Sequence, residues 1–324
     1  MIPLRKIVNL VPAFFSYSAS TVTGKPYIAG MPYSAGIELT NFCNLKCPEC
    51  TTGSGVLSRS RGYMDIRLFE KITGEKDNGI IHLNLYFQGE PMMHPDFFRF
   101  IEISRSYITT VSTNGHFIGK DEARQFASSS LNTLIISLDG MSEETYLKYR
   151  RNGDYGKVIE GINLVSQSIR ELRSSLKLEI QFLVNSFNEH ELKTVAEFAR
   201  SKGATLKLKS MQLLSPGETS ASWLPSEETF SRYSRSNSAP LIKSKLKNNC
   251  NRLWFNPVIT WDGMVVPCCF DKDAGFVMGD INKNSLREIW YGKKYMDFRK
   301  ALLSGRKDIP VCRNCTSGLS GVKI

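Results

Sequence analysis

The sequence is most informative first in what it lacks. No apolar run approaches the roughly 20 residues of a membrane-spanning helix, so no stretch reads as a span. No internal repeat is present. Aromatic residues do not alternate with Lys and Arg as base stacking would require, which argues against nucleic acid despite a net charge of +11. That charge is compatible with nucleic acid, anionic lipid or an acidic substrate, and alone it selects none. No acidic residue occurs between Glu228 and Asp262, although Arg232, Arg235, Lys243, Lys245, Lys247 and Arg252 fall there. No Cys or His lies between Cys50 and His82.

What is present starts with eight cysteines, placed at 43/47/50, 250, 268/269 and 312/315. A chain this long does not need disulfide staples, and grouped spacing suits metal binding in a reducing compartment, so a cytoplasmic location is expected. Cys43, Cys47 and Cys50 stand at Cys-x3-Cys-x2-Cys spacing, directly after the apolar run Gly36 to Leu39. Three thiolates on one loop can hold three corners of a cubane iron–sulfur cluster and leave the fourth iron open. The competing reading is zinc, which wants four ligands in paired knuckles, and the gap before His82 leaves that set incomplete. Near the N-terminus, Arg5 and Lys6 precede Ile7 to Phe15 in a faint signal-peptide outline that Asn9 and Pro12 interrupt. Ile7, Leu10, Val11 and Phe14 lie instead at helical spacing, which predicts an amphipathic helix packed on the domain, with membrane-surface contact as the other reading.

Along the chain, helix-like segments at 65–73, 95–104, 120–128, 155–173 and 189–201 alternate with strand-like segments at 80–87, 108–112, 134–138, 176–184 and 204–211. Ser142 is placed to cap a further helix, with Thr145 at its third position. Such alternation predicts a parallel sheet covered by helices, with chemistry gathered at the strand C-termini. The expected fold class is α/β: an incomplete (β/α)6 TIM-type barrel plus a small C-terminal domain of β-hairpin and helix. We place an N-terminal extension at 1–34, the barrel at 35–214, a basic bridge at 215–249 and the second domain at 250–324. That bridge is either a solvated basic face or a docking surface for an anionic substrate. In the second domain, Trp261-Asp262-Gly263 between apolar runs from Leu253 and from Met264 signals a hairpin, and a helix follows over 285–303.

The cysteine loop and the motifs after it resemble the radical S-adenosylmethionine (radical SAM) enzymes, over residues 35 to 211. In that family the open iron binds the amino and carboxylate groups of S-adenosylmethionine (SAM). Gln88-Gly89-Glu90-Pro91 resembles the Gly-Gly-Glu motif, which implies that Gly89 and Glu90 meet the SAM amino group. Ser112-Thr113-Asn114-Gly115 and Ser137-Leu138-Asp139-Gly140 end the next two strands. The resemblance implies that Ser112, Asn114, Ser137 and Asp139 face the ribose and methionine portions; turn and cap chemistry is the alternative. Arg150 is the candidate for the SAM carboxylate, with Arg151 as its competitor. Glu49 departs from the pattern, since the family often has an aromatic residue just before the third cysteine. His94 is a candidate catalytic base; capping of the following helix is the other reading.

Cys250, then Gly263-x4-Cys268, then Cys312-x2-Cys315 resembles the SPASM auxiliary-cluster domain in its shortened "twitch" form. This implies one auxiliary [4Fe–4S] cluster held by Cys250, Cys268, Cys312 and Cys315, beside the SAM-binding [4Fe–4S] cluster of Cys43, Cys47 and Cys50. Cys269 points away from Cys268 in an extended chain; it is either a buried spare or a thiol hydrogen-atom donor. Zinc at this second site is the alternative. The resemblance implies reductive cleavage of SAM to a 5′-deoxyadenosyl radical, hydrogen abstraction from a substrate C–H bond, and a reductant such as flavodoxin or ferredoxin. The expected activity is oxidoreductase or modifying chemistry on a small polar, sugar-like or anionic metabolite, or on a peptide. The reading from another class is a zinc-binding scaffold or nucleic-acid-binding protein.

Overall fold

The computed structural model describes residues 3–75, 78–234 and 239–315. Arg235 of the basic bridge and the end of the second domain beyond 315 lie outside the described residues. Helices α1 (Leu4–Val8) and α2 (Leu10–Thr23) precede β1 (Ser34–Ile37). There follow α3 (Ile66–Gly74), β2 (His82–Asn84), α4 (Phe97–Ile103), β3 (Ile108–Thr113), α5 (Lys120–Ser128), β4 (Thr133–Ser137), α6 (Glu143–Tyr149), α7 (Tyr155–Glu171), β5 (Lys177–Val184), α8 (Leu192–Ser201) and β6 (Thr205–Ser210). The chain continues through α9 (Glu218–Ala221), β7 (Tyr233–Ser234), β8 (Leu241–Ile242), α10 (Arg252–Phe255), β9 (Val258–Ile259), β10 (Met264–Val266), β11 (Gly279–Asp280), α11 (Leu286–Tyr291), α12 (Lys293–Gly305) and α13 (Pro310–Arg313). The predicted alternation holds through β6. No helix of the described residues is long and apolar enough to cross a membrane.

The chain divides into two compact units. One takes its described residues from Met1–Phe42, Ser58–Thr109 and Leu246–Gly318. In it, β1 pairs in parallel with β2 and with β9, and β9, β10 and β11 are antiparallel neighbours. The hairpin at Trp261-Asp262-Gly263 is present: Gly263 sits at φ 90°, a left-handed conformation that glycine adopts freely. Its first arm is shorter than predicted. Leu253, Trp254 and Phe255 are all buried, which one turn of α10 achieves and an alternating strand cannot. The predicted helix over 285–303 is two helices, because Gly292 is extended and a Cβ there would stand 2.9 Å from the Glu288 carbonyl oxygen. Trp290 and Tyr295 meet across that break at 4.7 Å and enclose the buried Arg299, whose guanidinium carbon lies 4.2 and 4.1 Å from their ring centres.

The N-terminal helices form, but not with the predicted face inward. Ile7 and Val11 are exposed, Leu10 is half-buried, and Phe14, half exposed, packs on Phe255 at 4.8 Å, while Ala13, Ser16 and Ser20 are buried. Only small side chains fit there: Gly30 runs so close that a Cβ on it would lie 2.5 Å from the Ala13 amide nitrogen.

The other unit takes Cys43–Leu57 and Thr110–Lys245. There β3 to β6 form consecutive parallel pairs, with Thr113 opposite Ile136, Ser137 opposite Gln181 and Val184 opposite Ser210. Leu134, Ile136, Ile180, Phe182 and Val184 are fully buried, as strands covered by helices require. α6 begins at the expected N-cap, Ser142, and Thr145 at its third position completes a capping box. Because the strands are parallel, Asn114, Asp139 and Asn185 all follow strand ends on one side of this sheet.

Candidate active site and metal centres

The loop 43–50 has no regular structure of its own and is held by strand-end and helix-end residues of its unit. The Asn114 amide, just past β3, donates to Asn44 Oδ1 at 2.8 Å. Asn152 Nδ2 donates to the Asn44 carbonyl at 2.7 Å, and the Lys46 amide donates to the Arg151 carbonyl at 2.8 Å. Gly53 folds back so tightly that a Cβ there would stand 2.6 Å from the Cys47 amide nitrogen. Glu49, the departure from the aromatic pattern, accepts from the Leu214 amide at 2.7 Å and ties the loop to the segment after β6.

This tethering buries Cys47 in an apolar cluster of Leu45, Tyr149, Met211, Leu213, Leu224 and Tyr233, with Cys43 and Cys50 half-buried against it. All three thiols are free of disulfides. Burial pushes the Cys47 thiol up to about 11; Cys50 and Asp139 add to the rise and Arg150 opposes it. Without a cation such a thiol is neutral, and soft-metal binding is what would draw the proton off. Arg150 is the nearby cation. Its Nε donates to Asp139 Oδ2 at 2.5 Å, and Asp139 Oδ1 accepts the Leu183 amide at 2.7 Å. Burial works against the Arg150 charge, but Asp139 and Cys47 outweigh it. Arg151, its competitor in sequence, is exposed and meets the loop through its backbone. Ser137 is buried at the end of β4 and Ser112 is half-buried in β3.

Gly89, Glu90 and His94 belong to the other unit. Gly89 has φ 77°, and a Cβ on it would lie 2.6 Å from the Phe42 carbonyl oxygen. The Glu90 amide donates to that same carbonyl at 2.7 Å, and Phe42 immediately precedes Cys43 in the chain. The buried Glu90 carboxylate accepts from the Met92 amide at 3.1 Å. His94 does not stand as a base: Nε2 bonds the Met64 carbonyl at 3.0 Å and Nδ1 accepts the Asp96 amide at 3.0 Å. Both ring nitrogens are thus committed to backbone, and burial lowers the His94 pKa. The helix-orienting role weighed from sequence is the one its geometry performs. Sequence reasoning passed over Glu38, a buried carboxylate that pairs with Arg59 and accepts the Gln88 amide at 3.3 Å and the Trp261 amide at 3.2 Å. An acid inside an otherwise apolar run was the available signal.

In the same unit, Cys250, Cys268, Cys312 and Cys315 are all buried, and Cys269 is half-buried. Burial raises the Cys268 pKa well above the usual thiol range, with Cys269, Cys250 and Cys315 adding to it. Burial takes Cys312 up to about 11, with Cys315 and Cys250 contributing to the rise. Two cations serve the group, neither singled out from sequence as a site residue. Arg306, buried, donates from Nη2 to Cys315 Sγ at 3.3 Å and is anchored on the Asn249 carbonyl at 3.0 Å. Arg252 has its pKa raised chiefly by Cys269, then by Cys268 and Cys250. Among the described residues no three His, Cys, Asp or Glu side chains converge as on a single metal ion. The donor chemistry is therefore the test of fit: free thiols, three along the 43–50 loop and four buried ones in the C-terminal region, are the soft donors that iron–sulfur clusters take.

Comparison with known proteins agrees. The radical SAM superfamily model matches residues 37–199, and an iron–sulfur cluster-binding domain model, SPASM, matches residues 250–316. The chain is 24% identical over 287 residues to GTP 3′,8-cyclase of Aliarcobacter butzleri (strain RM4018), covering 78% of this chain and 84% of that protein. It is 29% identical over 175 residues to mycofactocin maturase MftC of Mycobacterium ulcerans (strain Agy99), covering 53% of this chain and 45% of the maturase. It therefore spans less than half of the maturase. The crystal structure of Streptococcus suis SuiB bound to S-adenosylmethionine shares the fold, at a TM-score of 0.64 and 15% identity over 89% of this chain and 73% of that one. The radical SAM domain binds a [4Fe–4S] cluster and SAM, and the SPASM domain binds auxiliary iron–sulfur clusters. The α/β partial TIM-type barrel, the thiol loop beside its strand ends and the C-terminal cysteine group thus place this chain in the radical SAM superfamily, as an enzyme with a SPASM domain.

Proposed function

We propose that the enzyme oxidises a small anionic metabolite, sugar-like or nucleotide-like, at an unreactive C–H bond. Cys43, Cys47 and Cys50 hold the SAM-binding cluster, and Cys250, Cys268, Cys312 and Cys315 hold the auxiliary one. When bound and reduced by a one-electron donor such as flavodoxin or ferredoxin, the first cluster supplies reductive cleavage of SAM to a 5′-deoxyadenosyl radical. The substrate loses a hydrogen atom to that radical. Loss of a proton to solvent and of a second electron, for which a cluster held by Cys250, Cys268, Cys312 and Cys315 would be the acceptor, would make the net change a two-electron oxidation.

The chain's own residues prepare this chemistry. Asn114, Asn152 and Lys46 fix the thiol loop, and the Tyr149–Met211–Leu213 wall keeps water from Cys47. Within its own unit, Arg150, held by Asp139, is suited to a SAM carboxylate, with Ser112 and Ser137 towards the ribose side; Gly89 and Glu90 keep the amino-group role that the family resemblance implies. Asp139 acts through Arg150, because both of its carboxylate oxygens already accept hydrogen bonds.

The observation that carries the reading is the pairing of a three-thiol loop with a separate four-thiol group. Four thiolates saturate a cubane, so the second cluster is suited to electron transfer rather than substrate ligation. The small-molecule reading draws support from the cyclase, whose name gives GTP as its substrate and of which this chain spans 84%. It draws further support from the basic run at Arg232, Lys243, Lys245 and Lys247. The test is anaerobic turnover with dithionite, SAM and pools of phosphorylated metabolites, read as 5′-deoxyadenosine and as substrate mass lowered by two hydrogens. Product formation only with peptide pools would overturn the substrate class, and no 5′-deoxyadenosine under any condition would overturn the reaction.

A further inference from the structure

The N-terminal helices carry their apolar side chains on the wrong face for a folded monomer. The inward face of α2 is Ala13, Ser16 and Ser20, flanked by Phe14 and Tyr17, whose rings pack on Phe255 at 4.8 and 5.5 Å. Its serines act as hydrogen-bond posts: the Ala29 amide donates to Ser16 Oγ at 2.7 Å and the Tyr27 amide to Ser20 Oγ at 2.8 Å. Asn9, helical in conformation between α1 and α2, bonds both the amide and the carbonyl of Met31 at 2.9 Å. The outward face carries Leu4, Val8, Val11, Phe15 and Val22, which are 74%, 59%, 73%, 59% and 87% exposed. Steps of four, three, four and seven residues put these five on one stripe.

A surface helix ordinarily shows the opposite pattern. Eight of the fifteen exposed large apolar side chains among the described residues lie between Leu4 and Tyr27, so random scatter does not account for them. Charge narrows what covers the stripe. Residues 3–37 contain Arg5, Lys6 and Lys25 and no acid; the first acidic residue of the chain is Glu38, which is buried. Lys6 is turned inward, its ammonium 4.0 Å above the Tyr107 ring, whereas Arg5 and Lys25 are exposed. A second copy of this chain would set one acid-free basic segment against another. An anionic lipid surface meets both the apolar stripe and the positive flank.

We propose that α1 and α2 lie in the interface of an anionic bilayer, with Leu4, Val8, Val11, Phe15 and Val22 at the acyl boundary and Arg5 and Lys25 against lipid phosphates. The enzyme is thereby a peripheral one that works at a membrane surface. This holds or fails independently of the substrate, because its readout is binding.

The test is co-sedimentation of the full chain with phosphatidylcholine vesicles and with vesicles that also contain phosphatidylglycerol. The expected result is pelleting with the mixed vesicles, weakened by salt and weaker with phosphatidylcholine alone. Val11→Asp/Phe15→Asp should lose about tenfold or more in partitioning, since each side chain withdrawn from an apolar phase is worth at least that. Leu241→Asp, at an exposed apolar residue of β8, should change nothing. If the double Asp variant misfolds by circular dichroism, Arg5→Gln/Lys25→Gln keeps the test open and should remove the preference for phosphatidylglycerol. No pelleting with either vesicle overturns the proposal. So does equal pelleting with both, or a lipid-free dimer in sedimentation velocity that Val11→Asp abolishes, which would assign the stripe to a second copy.

Discussion

The two cysteine groups differ in burial, one thiol of three buried against four of four, and in how each is given its positive charge. At the Cys43–Cys47–Cys50 loop the nearby guanidinium, Arg150, is paired with the buried Asp139. Its charge is half-spent before any ligand arrives, and the pair is better at holding a carboxylate in register than at drawing electrons. At the Cys250–Cys268–Cys312–Cys315 group, Arg306 donates straight to the Cys315 sulfur and is anchored on main-chain carbonyls. If Cys315 holds the auxiliary cluster, a hydrogen bond from a cationic donor to its sulfur would raise that cluster's reduction potential. On the function proposed above, the first site would deliver an electron to a bound sulfonium and the second would receive one.

The largest effect expected is at the first loop. Cys47→Ala should abolish 5′-deoxyadenosine formation, while Cys312→Ala should keep measurable SAM cleavage and lose substrate oxidation. Chromatography of the two products checks this, and iron analysis should show each variant losing about four of about eight irons. Equal loss of SAM cleavage in both would erase the division between the sites.

Next comes the cation at each site. Arg150→Gln should raise the KM for SAM by about tenfold or more, the scale of one charge-assisted hydrogen bond, without altering iron content. Asp139→Asn should do the same more weakly, since Arg150 stays in place but is less firmly held. Arg306→Gln should leave SAM cleavage intact and move the auxiliary cluster to a more negative midpoint potential, followed by a redox titration of its spectrum. Arg306→Lys should recover part of the shift, because charge returns without the guanidinium geometry. A potential unmoved in both variants would make Arg306 a packing residue only.

How much of this was legible beforehand depends on whether the determinant is local. The span of α5 and the N-cap at Ser142 follow from residues within one turn, and both match the reading from sequence. The cysteine groups are legible because ligand spacing is itself a sequence pattern. Which face of α2 is buried is not local. It depends on residues 27–31 running against Ala13 and Ser16, and there the hydrophobic-inward rule failed. Glu38 and Arg306 are of the same kind: one acid in an apolar run and one Arg among basic neighbours gain meaning only when Arg59, Trp261 or Cys315 arrives from elsewhere in the chain. His94 had two readings in sequence, and two main-chain hydrogen bonds, both made within its own unit, decide between them.

The smallest effect sharpens the comparison most finely, because it separates adjacent residues. Cys268 is buried, with Cys269, Cys250 and Cys315 acting on it, whereas Cys269 is only half-buried and is the chief cause of the raised Arg252 pKa. If Cys268 is the ligand, Cys269→Ser should keep the full iron content, and Cys268→Ser should lose the auxiliary iron. Turnover then decides what Cys269 does. A spare thiol leaves oxidation within about twofold, the scale of an ordinary surface substitution. A hydrogen-atom donor, by contrast, would let the wild-type enzyme return deuterium from solvent to the substrate carbon, and Cys269→Ser would stop that return. Because the auxiliary cluster is proposed to take the substrate's electron, wild type should incorporate no solvent deuterium at that carbon. Deuterium in the product that vanishes with Cys269→Ser would turn the reaction from oxidation to epimerisation.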